Sequence, residues 1–421
     1  MGEAREKAML ARKAARVVSG LGSDERNAAL RAMAQGLREA QGAILAANGE
    51  DVACAREAGT AEQLIDRLSL TPERLESMAA GLEGVAAQPD PLGRVVAGSR
   101  LSNGLQVEKL TVPLGVVAMV YEARPNVTSD AAGLCLKSGN ACVLRGGSLA
   151  SRSCSAVVGA LRDSLAACGL PRDAVCLLES PGHGVVDELF GLVGLVDVLV
   201  PRGGAGLIRA CVENARVPVI ETGTGNCHVY VERSADLAMA ASILVNAKCS
   251  RPSVCNACES VLIDAGLLQR HPDAIERLLA PVVAAGVVVH GDEESCAAAV
   301  RLGGTGLAAV EEDWGTEYLS LELSCKVVEG TSEAIDHINR YGTGHSECIV
   351  TSDYAAAERF LAQVDAAAVY VNASTRFTDG EMFGLGAEVG ISTQKLHARG
   401  PMGADSLVTT KFVCRGSGQT R

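Results

Sequence analysis

Aromatic residues are scarce. Phe, Tyr and Trp make up 3% of the 421 residues, and Trp314 is the single tryptophan. Platforms for stacking bases are therefore not expected. Positive charge is short as well: 38 Lys and Arg stand against 50 Asp and Glu, a formal net charge of −12. That balance gives no electrostatic footprint for nucleic acid or an anionic membrane surface. Anionic ligands must be met by local groups instead. Long apolar runs are missing, so no membrane span is expected. Residues 1–15 are charged, helical in pattern and without an apolar signal core. Cysteine is the opposite case. Fifteen are present, an odd count, without the spacing of a disulfide framework. Free thiols in a reducing cytoplasm are the expectation; a secreted disulfide protein would leave one thiol unpaired.

What is there suits a globular protein: 48% hydrophobic and 21% charged residues, in a chain long enough for one large or two to three ordinary domains. Residues 1–90 read as helices. Ser23 is the expected N-cap of one, followed by Ala28, Leu30, Met33, Ala34 and Leu37 at helical spacing. Thr71 caps another, with Pro72 at its first position. Asn103-Gly104 between alternating runs predicts a hairpin over 100–110. From Val112 strands and helices alternate. Strands are expected over 112–121, 141–145, 175–178, 196–200 and 217–220, and helices over 126–137, 149–168, 184–193 and 206–214. Short Val-rich runs between helices mean βαβ units and a buried parallel sheet, whose ligands bind beyond the carboxyl ends of the strands. A second block has strands near 229–231, 260–263, 287–289, 325–328, 348–351 and 368–371, with helices such as 332–340 and 355–364. The tail 407–413 reads as a late strand.

The stretch 248–259, Lys-Cys-Ser-Arg-Pro-Ser-Val-Cys-Asn-Ala-Cys-Glu, joins a helical run to a strand-like one. A thiol on such a connection is placed where reactive groups are commonly carried. Lys248 and Arg251 are close in sequence, and neighbouring positive charge lowers a thiol's pKa. Cys255 is accordingly a candidate nucleophile. A buried, inert cysteine is the plain alternative. Zinc is a third reading, since Cys255 and Cys258 form C-x-x-C with Cys249 nearby. Zinc needs about four ligands, commonly two such pairs, and no second pair is present.

Two glycine-rich loops follow strands in the first block: Arg145-Gly146-Gly147-Ser148 and Arg202-Gly203-Gly204-Ala205-Gly206. Backbone amides at a helix N-terminus bind phosphate, and arginine is a bidentate phosphate partner. Neither loop is G-x-G-x-x-G, and each alone is equally a tight turn. Together in one βαβ block they point to a dinucleotide. Glu179-Ser180-Pro181-Gly182 ends a further strand. Glu221, before Thr222-Gly223-Thr224-Gly225-Asn226, is either an acid or base group at a strand end or a solvated turn residue.

These residues resemble a known family. Tyr121-Glu122-Ala123-Arg124-Pro125-Asn126-Val127, Pro201-Arg202-Gly203-Gly204, Glu221 to His228, Arg251 to Asn256 and Tyr341-Gly342-Thr343-Gly344-His345-Ser346-Glu347 look like the motifs of the γ-glutamyl phosphate reductases, within the aldehyde dehydrogenase superfamily. The match covers essentially the whole chain. It implies an α/β architecture with an unconventional Rossmann-type cofactor domain over 1–97 and 113–222, and an α/β catalytic domain over 223–403. Segments 98–112 and 404–421 would form a small oligomerisation sheet, hence a homo-oligomer. The implied reaction is NADPH-dependent reduction of L-glutamyl 5-phosphate to L-glutamate 5-semialdehyde, in proline biosynthesis.

The resemblance also implies roles. Cys255 matches the nucleophile, Asn126 the oxyanion-stabilising amide with Arg124 as the other occupant of that place, and Glu221 the superfamily's deacylating base. Arg145, with Gly146, Gly147 and Ser148, would accept the 2′-phosphate of NADP(H), because no acidic residue stands beside it. Ser180, Pro181 and Gly182 would border the adenine, and Pro201, Arg202, Gly203 and Gly204 the pyrophosphate and nicotinamide. Glu317 resembles the glutamate that holds the nicotinamide ribose. Arg376 and Thr378 lie in the loop that would cap the substrate tunnel; His345 is either a phosphate donor or a satisfied structural histidine. Nothing in the chain resembles the kinase that makes the acyl phosphate, so an encounter with glutamate 5-kinase is expected. A hydrolytic or CoA-dependent aldehyde dehydrogenase, and a non-catalytic carrier of the acyl phosphate, are the alternatives.

Overall fold

The computed structural model describes residues 2–421. Five helices come first: α1 Glu3–Val18, α2 Ser23–Glu39, α3 Gln41–Glu57, α4 Glu62–Leu68 and α5 Pro72–Ala87. Helix α2 buries Ala29, Leu30, Met33, Ala34 and Leu37, an apolar stripe at helical spacing. Its cap differs from expectation. Gly22, not Ser23, is the N-cap residue, and its N–H donates to Glu25 Oε2 at 2.7 Å. With that amide satisfied by the acidic first turn, Ser23 lies inside the helix. Helix α5 begins as predicted: Thr71 Oγ1 accepts from the Arg74 N–H at 3.2 Å, and Pro72 fills the first position.

The chain divides into two units. The first takes residues up to Thr222 with Gly384–Gly390 and Pro401–Arg421; the second takes Gly223–Phe383 and Ile391–Gly400. The expected segment 223–403 therefore gives up two pieces to the first unit. Backbone bonds account for this. The Val389 N–H donates to Met402 O at 3.0 Å and the Met402 N–H to Gly390 O at 2.9 Å, while Gly386 packs on the backbone of Gly84 and Val85.

In the first unit, β1 Val95–Arg100, β2 Gln106–Pro113 and the C-terminal strand Val408–Arg415 form a three-stranded antiparallel sheet with β2 in the centre. The hairpin turns at Asn103-Gly104, with Gly104 at φ +88° and Asn103 Oδ1 accepting from the Leu105 N–H at 3.1 Å. Next come β3 Val116–Tyr121, α6 Asn126–Lys137, β4 Ala141–Gly146, α7 Ser151–Ala167, β5 Val175–Leu177, α8 Gly184–Phe190, β6 Val198–Arg202 and α9 Ala205–Asn214. The four strands pair in parallel, in the order β5-β4-β3-β6. Every residue of β3 and β4 is buried, as helices on a parallel sheet require.

Two strand expectations fail here. Residues 112–121 are not one strand, because Gly115 takes φ +127° and its N–H turns aside to Asn140 Oδ1 at 2.7 Å. Residues 217–220 form only a single bridge, Leu199↔Val219; Pro218 has no N–H for a ladder.

The second unit runs β7 Cys227–Val231, α10 Leu237–Cys249, β8 Cys258–Asp264, α11 Ala265–Arg270, α12 Ala274–Ala284, β9 Val288–Gly291, α13 Glu293–Arg301, β10 Gly306–Ala308, β11 Glu322–Val328, α14 Thr331–Tyr341, β12 Ser346–Val350, α15 Tyr354–Gln363 and β13 Ala368–Val371. All seven strands are parallel, in the order β10-β9-β11-β8-β7-β12-β13. Edge strand β10 has no signal in its sequence, Gly306-Leu307-Ala308. Val229, Val231, Val261, Ile263, Cys348 and Val350 pack with α10 and α12 on one face. Tyr230, Leu262 and Ile349 pack with α14 and α15 on the other. Among the described residues no helix is long and apolar enough to cross a membrane.

Candidate functional site

Cys255 lies on the connection from α10 to β8, half-buried. The chain behind it is held very closely. A Cβ on Gly225 would fall 1.4 Å from Cys255 O, so only glycine fits there. Cys227 Sγ donates to the same carbonyl at 3.2 Å. The Gly225 N–H donates to Glu317 Oε1 at 2.7 Å. Burial raises the Glu317 carboxyl above its ordinary value, with that amide acting against the rise. In this structure Glu317 therefore steadies the segment that leads into β7 behind the thiol.

Beside the thiol, Asn256 fastens the loop after β13. Its Nδ2 donates to Arg376 O at 3.3 Å and Thr378 O at 2.9 Å. Its own carbonyl accepts from Thr375 Oγ1 at 2.8 Å, and its Oδ1 accepts from Arg376 Nη1. Sequence reasoning passed over Asn256. The available signal was a carboxamide next to the candidate nucleophile, a group that can donate and accept at once.

Lys248 does not act as its sequence position suggested. It is fully buried, and Nζ donates to Glu259 Oε2 at 2.6 Å, so its charge is engaged away from the thiol. Arg376 is a cation that interacts electrostatically with Cys255. Burial first, then repulsion from Arg251, holds the Arg376 guanidinium below its ordinary pKa, while Asp379, Cys255 and Cys227 act the other way. His345 and Thr378 belong to a buried polar network. His345 Nδ1 lies 2.8 Å from Ser346 Oγ. Thr378 Oγ1 accepts from Ser346 Oγ at 2.6 Å and lies 2.7 Å from Tyr370 Oη. Both side chains are fully buried, and Thr378 holds the loop together through Ser346 and Tyr370.

None of the fifteen cysteines is in a disulfide. Cys258 lies inside β8, and burial pushes its thiol well up; burial also raises Cys249, against Lys248. Among the described residues no group of three His, Cys, Asp or Glu side chains could hold a metal ion.

The first unit gathers the other candidates. Loops leave the carboxyl ends of its four parallel strands at Glu122, Gly147, Leu178 and Gly203. Gly147 packs on the chain at Glu122-Ala123, where a Cβ would come within 3.1 Å of Ala123 N. Gly204 is the N-cap of α9, and its N–H donates to Glu122 Oε1 at 2.9 Å. A Cβ on Gly203 would meet the Glu122 side chain at 2.6 Å. This helix N-terminus thus already attracts an anion, the protein's own carboxylate. Arg145 is 8% exposed, with Nη1 donating to Gly146 O at 2.8 Å. The Glu179 and Ser180 N–H groups donate to the Glu3 carboxylate at 2.7 and 2.9 Å. Arg202 Nη2 stands 3.6 Å from Glu388 Oε1. Pro201 O accepts from Thr222 Oγ1 at 2.9 Å. Asn126 is exposed at the start of α6 and donates to Asp130 Oδ2 at 3.3 Å; Arg124 and Glu221 are half-buried. Two arginines, glycine turns and an amide that already binds a carboxylate fit a dinucleotide's phosphates.

Comparison with known proteins agrees in kind. A sequence model described as the aldehyde dehydrogenase family matches residues 2–297. A γ-glutamyl phosphate reductase of Cutibacterium acnes is 54% identical over 419 residues, covering 99% of this chain and 98% of its own. One from Moorella thermoacetica is 52% identical, covering 100% and 99%. The crystal structure of the γ-glutamyl phosphate reductase of Thermotoga maritima superimposes with a TM-score of 0.95 at 43% identity, with both chains covered completely.

Proposed function

Since the chain belongs to the aldehyde dehydrogenase family, and within it to the γ-glutamyl phosphate reductases, we propose that it reduces L-glutamyl 5-phosphate to L-glutamate 5-semialdehyde with NADPH, in proline biosynthesis. One observation carries the chemistry: a half-exposed thiol, Cys255, on a loop tied through Asn256 to Arg376. Cys255 Sγ attacks the acyl carbon, the bond to the phosphate oxygen breaks, and phosphate leaves a thioester behind. Arg376 supports the thiolate and the anionic leaving group. The Cys255 N–H, and by family resemblance the Asn126 carboxamide, donate to the oxyanion. When bound, a reduced nicotinamide supplies the hydride that takes the thioester to a thiohemiacetal. Expulsion of the Cys255 thiolate then frees the aldehyde. Glu221 is given no step, because a reductase must not hydrolyse its thioester.

The assay runs the reaction backwards. NADP reduction with glutamate semialdehyde should require inorganic phosphate and yield the acyl phosphate. Oxidation that ignores phosphate and gives free glutamate, or that requires CoA, would overturn the assignment.

Arg145, with Ser148, is the proposed reader of the 2′-phosphate. Arg145→Glu should weaken NADPH binding by about 10- to 100-fold, the worth of one charge-assisted hydrogen bond, and NADH binding far less. Fluorescence titration of both cofactors, with a melting curve to confirm folding, decides this; equal losses would remove Arg145 from the role.

The three-stranded sheet is the proposed oligomer contact. All of β1 is exposed, and open edge strands invite pairing. Truncation after Gly403 deletes the C-terminal strand and should lower the assembly's mass by light scattering. An unchanged mass would defeat the idea.

A further inference from the structure

The connection that carries Cys255 also carries an arginine to which the chemistry above gives no task. Arg251 lies upstream of the thiol on the same loop and is exposed. Its side chain enters no hydrogen bond and no ion pair among the described residues. The chain has 50 acidic residues against 38 basic ones, so carboxylates are plentiful, and Arg251 still takes none.

Arg376 reaches across this loop from the segment after β13. Its Nε donates to Ser250 Oγ at 3.3 Å, and its Nη1 donates to Asn256 Oδ1. The guanidinium is therefore held at both ends of the stretch 250–256. Arg251 is next in the chain to one anchor, and Cys255 is next to the other. Nη2 of Arg376 donates to nothing among the described residues and is reached by solvent.

The two arginines are near enough to repel one another. Asp379 acts on Arg376 in the opposite sense. Its Oδ1 accepts from the Glu381 N–H at 2.9 Å, and among the described residues it forms no ion pair with either arginine. Two like charges in this relation are stabilised by an anion placed between them. Guanidinium N–H groups match phosphate oxygens in pairs.

We propose that Arg251 and Arg376 together hold the phosphate group beside Cys255, and that Arg251 makes phosphate, rather than water or a thiol such as CoA, the partner of the thioester. This rests on the acyl-phosphate chemistry proposed above. In the reductive direction the bond from Cys255 Sγ to the acyl carbon forms and the bond from that carbon to the phosphate oxygen breaks. The electron pair leaves with phosphate, and the added charge is met by the two guanidiniums. In reverse, an oxygen of hydrogenphosphate attacks the thioester carbon, the carbon–sulfur bond breaks, and the departing sulfur takes the proton that phosphate gives up. Neither exchange is a redox step.

Two other tasks are open to a cation at this position: lowering the thiol's pKa, or holding the substrate's α-carboxylate. The reverse reaction separates all three, because phosphate and carboxylate then arrive on different molecules. The full-length enzyme is assayed for NADP reduction with L-glutamate 5-semialdehyde while inorganic phosphate is varied. Arg251→Gln should raise the KM for phosphate about 10- to 100-fold, the worth of one charge-assisted contact, and leave the KM for the semialdehyde near the parent's. Arg251→Lys should recover part of the loss, since it keeps the charge without the fork. A second measurement needs no turnover. Phosphate at several times its KM should slow alkylation of Cys255 by iodoacetamide in the parent and not in Arg251→Gln. Because Arg251 is exposed, the variant should fold, and a melting curve checks this. An unchanged phosphate KM in Arg251→Gln, a rise confined to the semialdehyde KM, or equal protection by phosphate in both proteins would overturn the inference and leave the reductase assignment standing. So would an alkylation pH profile that moves while the phosphate KM stays. A parent enzyme that oxidises the semialdehyde without phosphate would instead remove the assignment, and this site with it.

Discussion

Replacing Cys255 by serine should lower turnover by at least about 1000-fold while folding and cofactor binding persist. The change is one atom, but a neutral hydroxyl attacks an acyl phosphate poorly without a strong base, whereas a thiolate needs none. The surroundings are arranged for an anion. Arg376 brings positive charge to bear on Cys255, and Gly225, Cys227 and Asn256 fix its backbone. The neighbouring thiols make the controls. Cys258 is buried in β8 with its thiol pushed up by burial, and burial also raises Cys249. Cys249→Ser and Cys258→Ser should keep most activity. With the reductant withheld and acyl phosphate generated in place, mass spectrometry should find the glutamyl group on the Cys255 peptide. Near-normal turnover by a folded Cys255→Ser protein would sink the mechanism.

Lys248→Met should destabilise the fold by about 3–5 kcal/mol, the cost of stranding one member of a buried ion pair. Lys248 and Glu259 are both fully buried and 2.6 Å apart. Burial already pushes the Glu259 carboxyl up to about 7 even with Lys248 opposing the rise. Because the folded pKa lies above the unfolded value, Glu259's contribution is fully present below about pH 4.5 and is lost as pH rises through 7. Without Lys248 that window moves higher. Urea unfolding should therefore show a larger loss at pH 8 than at pH 5, where Glu259 can take a proton. Lys248→Met with Glu259→Leu should recover most of the stability, since two apolar groups replace two charges. A single variant as stable as the parent at pH 8 would mean that the pair is not carrying this cost.

Both expectations touch the stretch 248–259, and it shows what a sequence discloses. The helix, the connection and the strand were legible from periodicity, and Cys255 from its place between them. Lys248's partner was not. Its field was assigned by nearness along the chain, whereas on the last turn of α10 its side chain points into the interior and meets Glu259. Asn256 was equally silent, because its bonds go to residues 375–378, and only the fold brings those near. Breaks were easiest to miss where a single residue decides: Gly115 between two apolar runs, Pro218 inside a Val-rich one. β10 carried no pattern at all, since an edge strand of three residues buries too little to require one. The parallel sheets, by contrast, were plain, because strands buried on both faces must be apolar throughout.

Glu122 changes how arrival at the α9 N-terminus has to be counted. Its carboxylate already occupies the Gly204 amide, so a phosphate reaching that amide takes part in an exchange of one anion for another. The hydrogen bond gained is offset by the one given up, and the displaced carboxylate returns to water. Observed affinity is then the intrinsic affinity scaled by the fraction of molecules in which Glu122 has swung away. The same substitution keeps the helix end hydrogen-bonded when no ligand is present. Such a site gains little from the amide itself; the tightness of a dinucleotide must come from its remaining contacts.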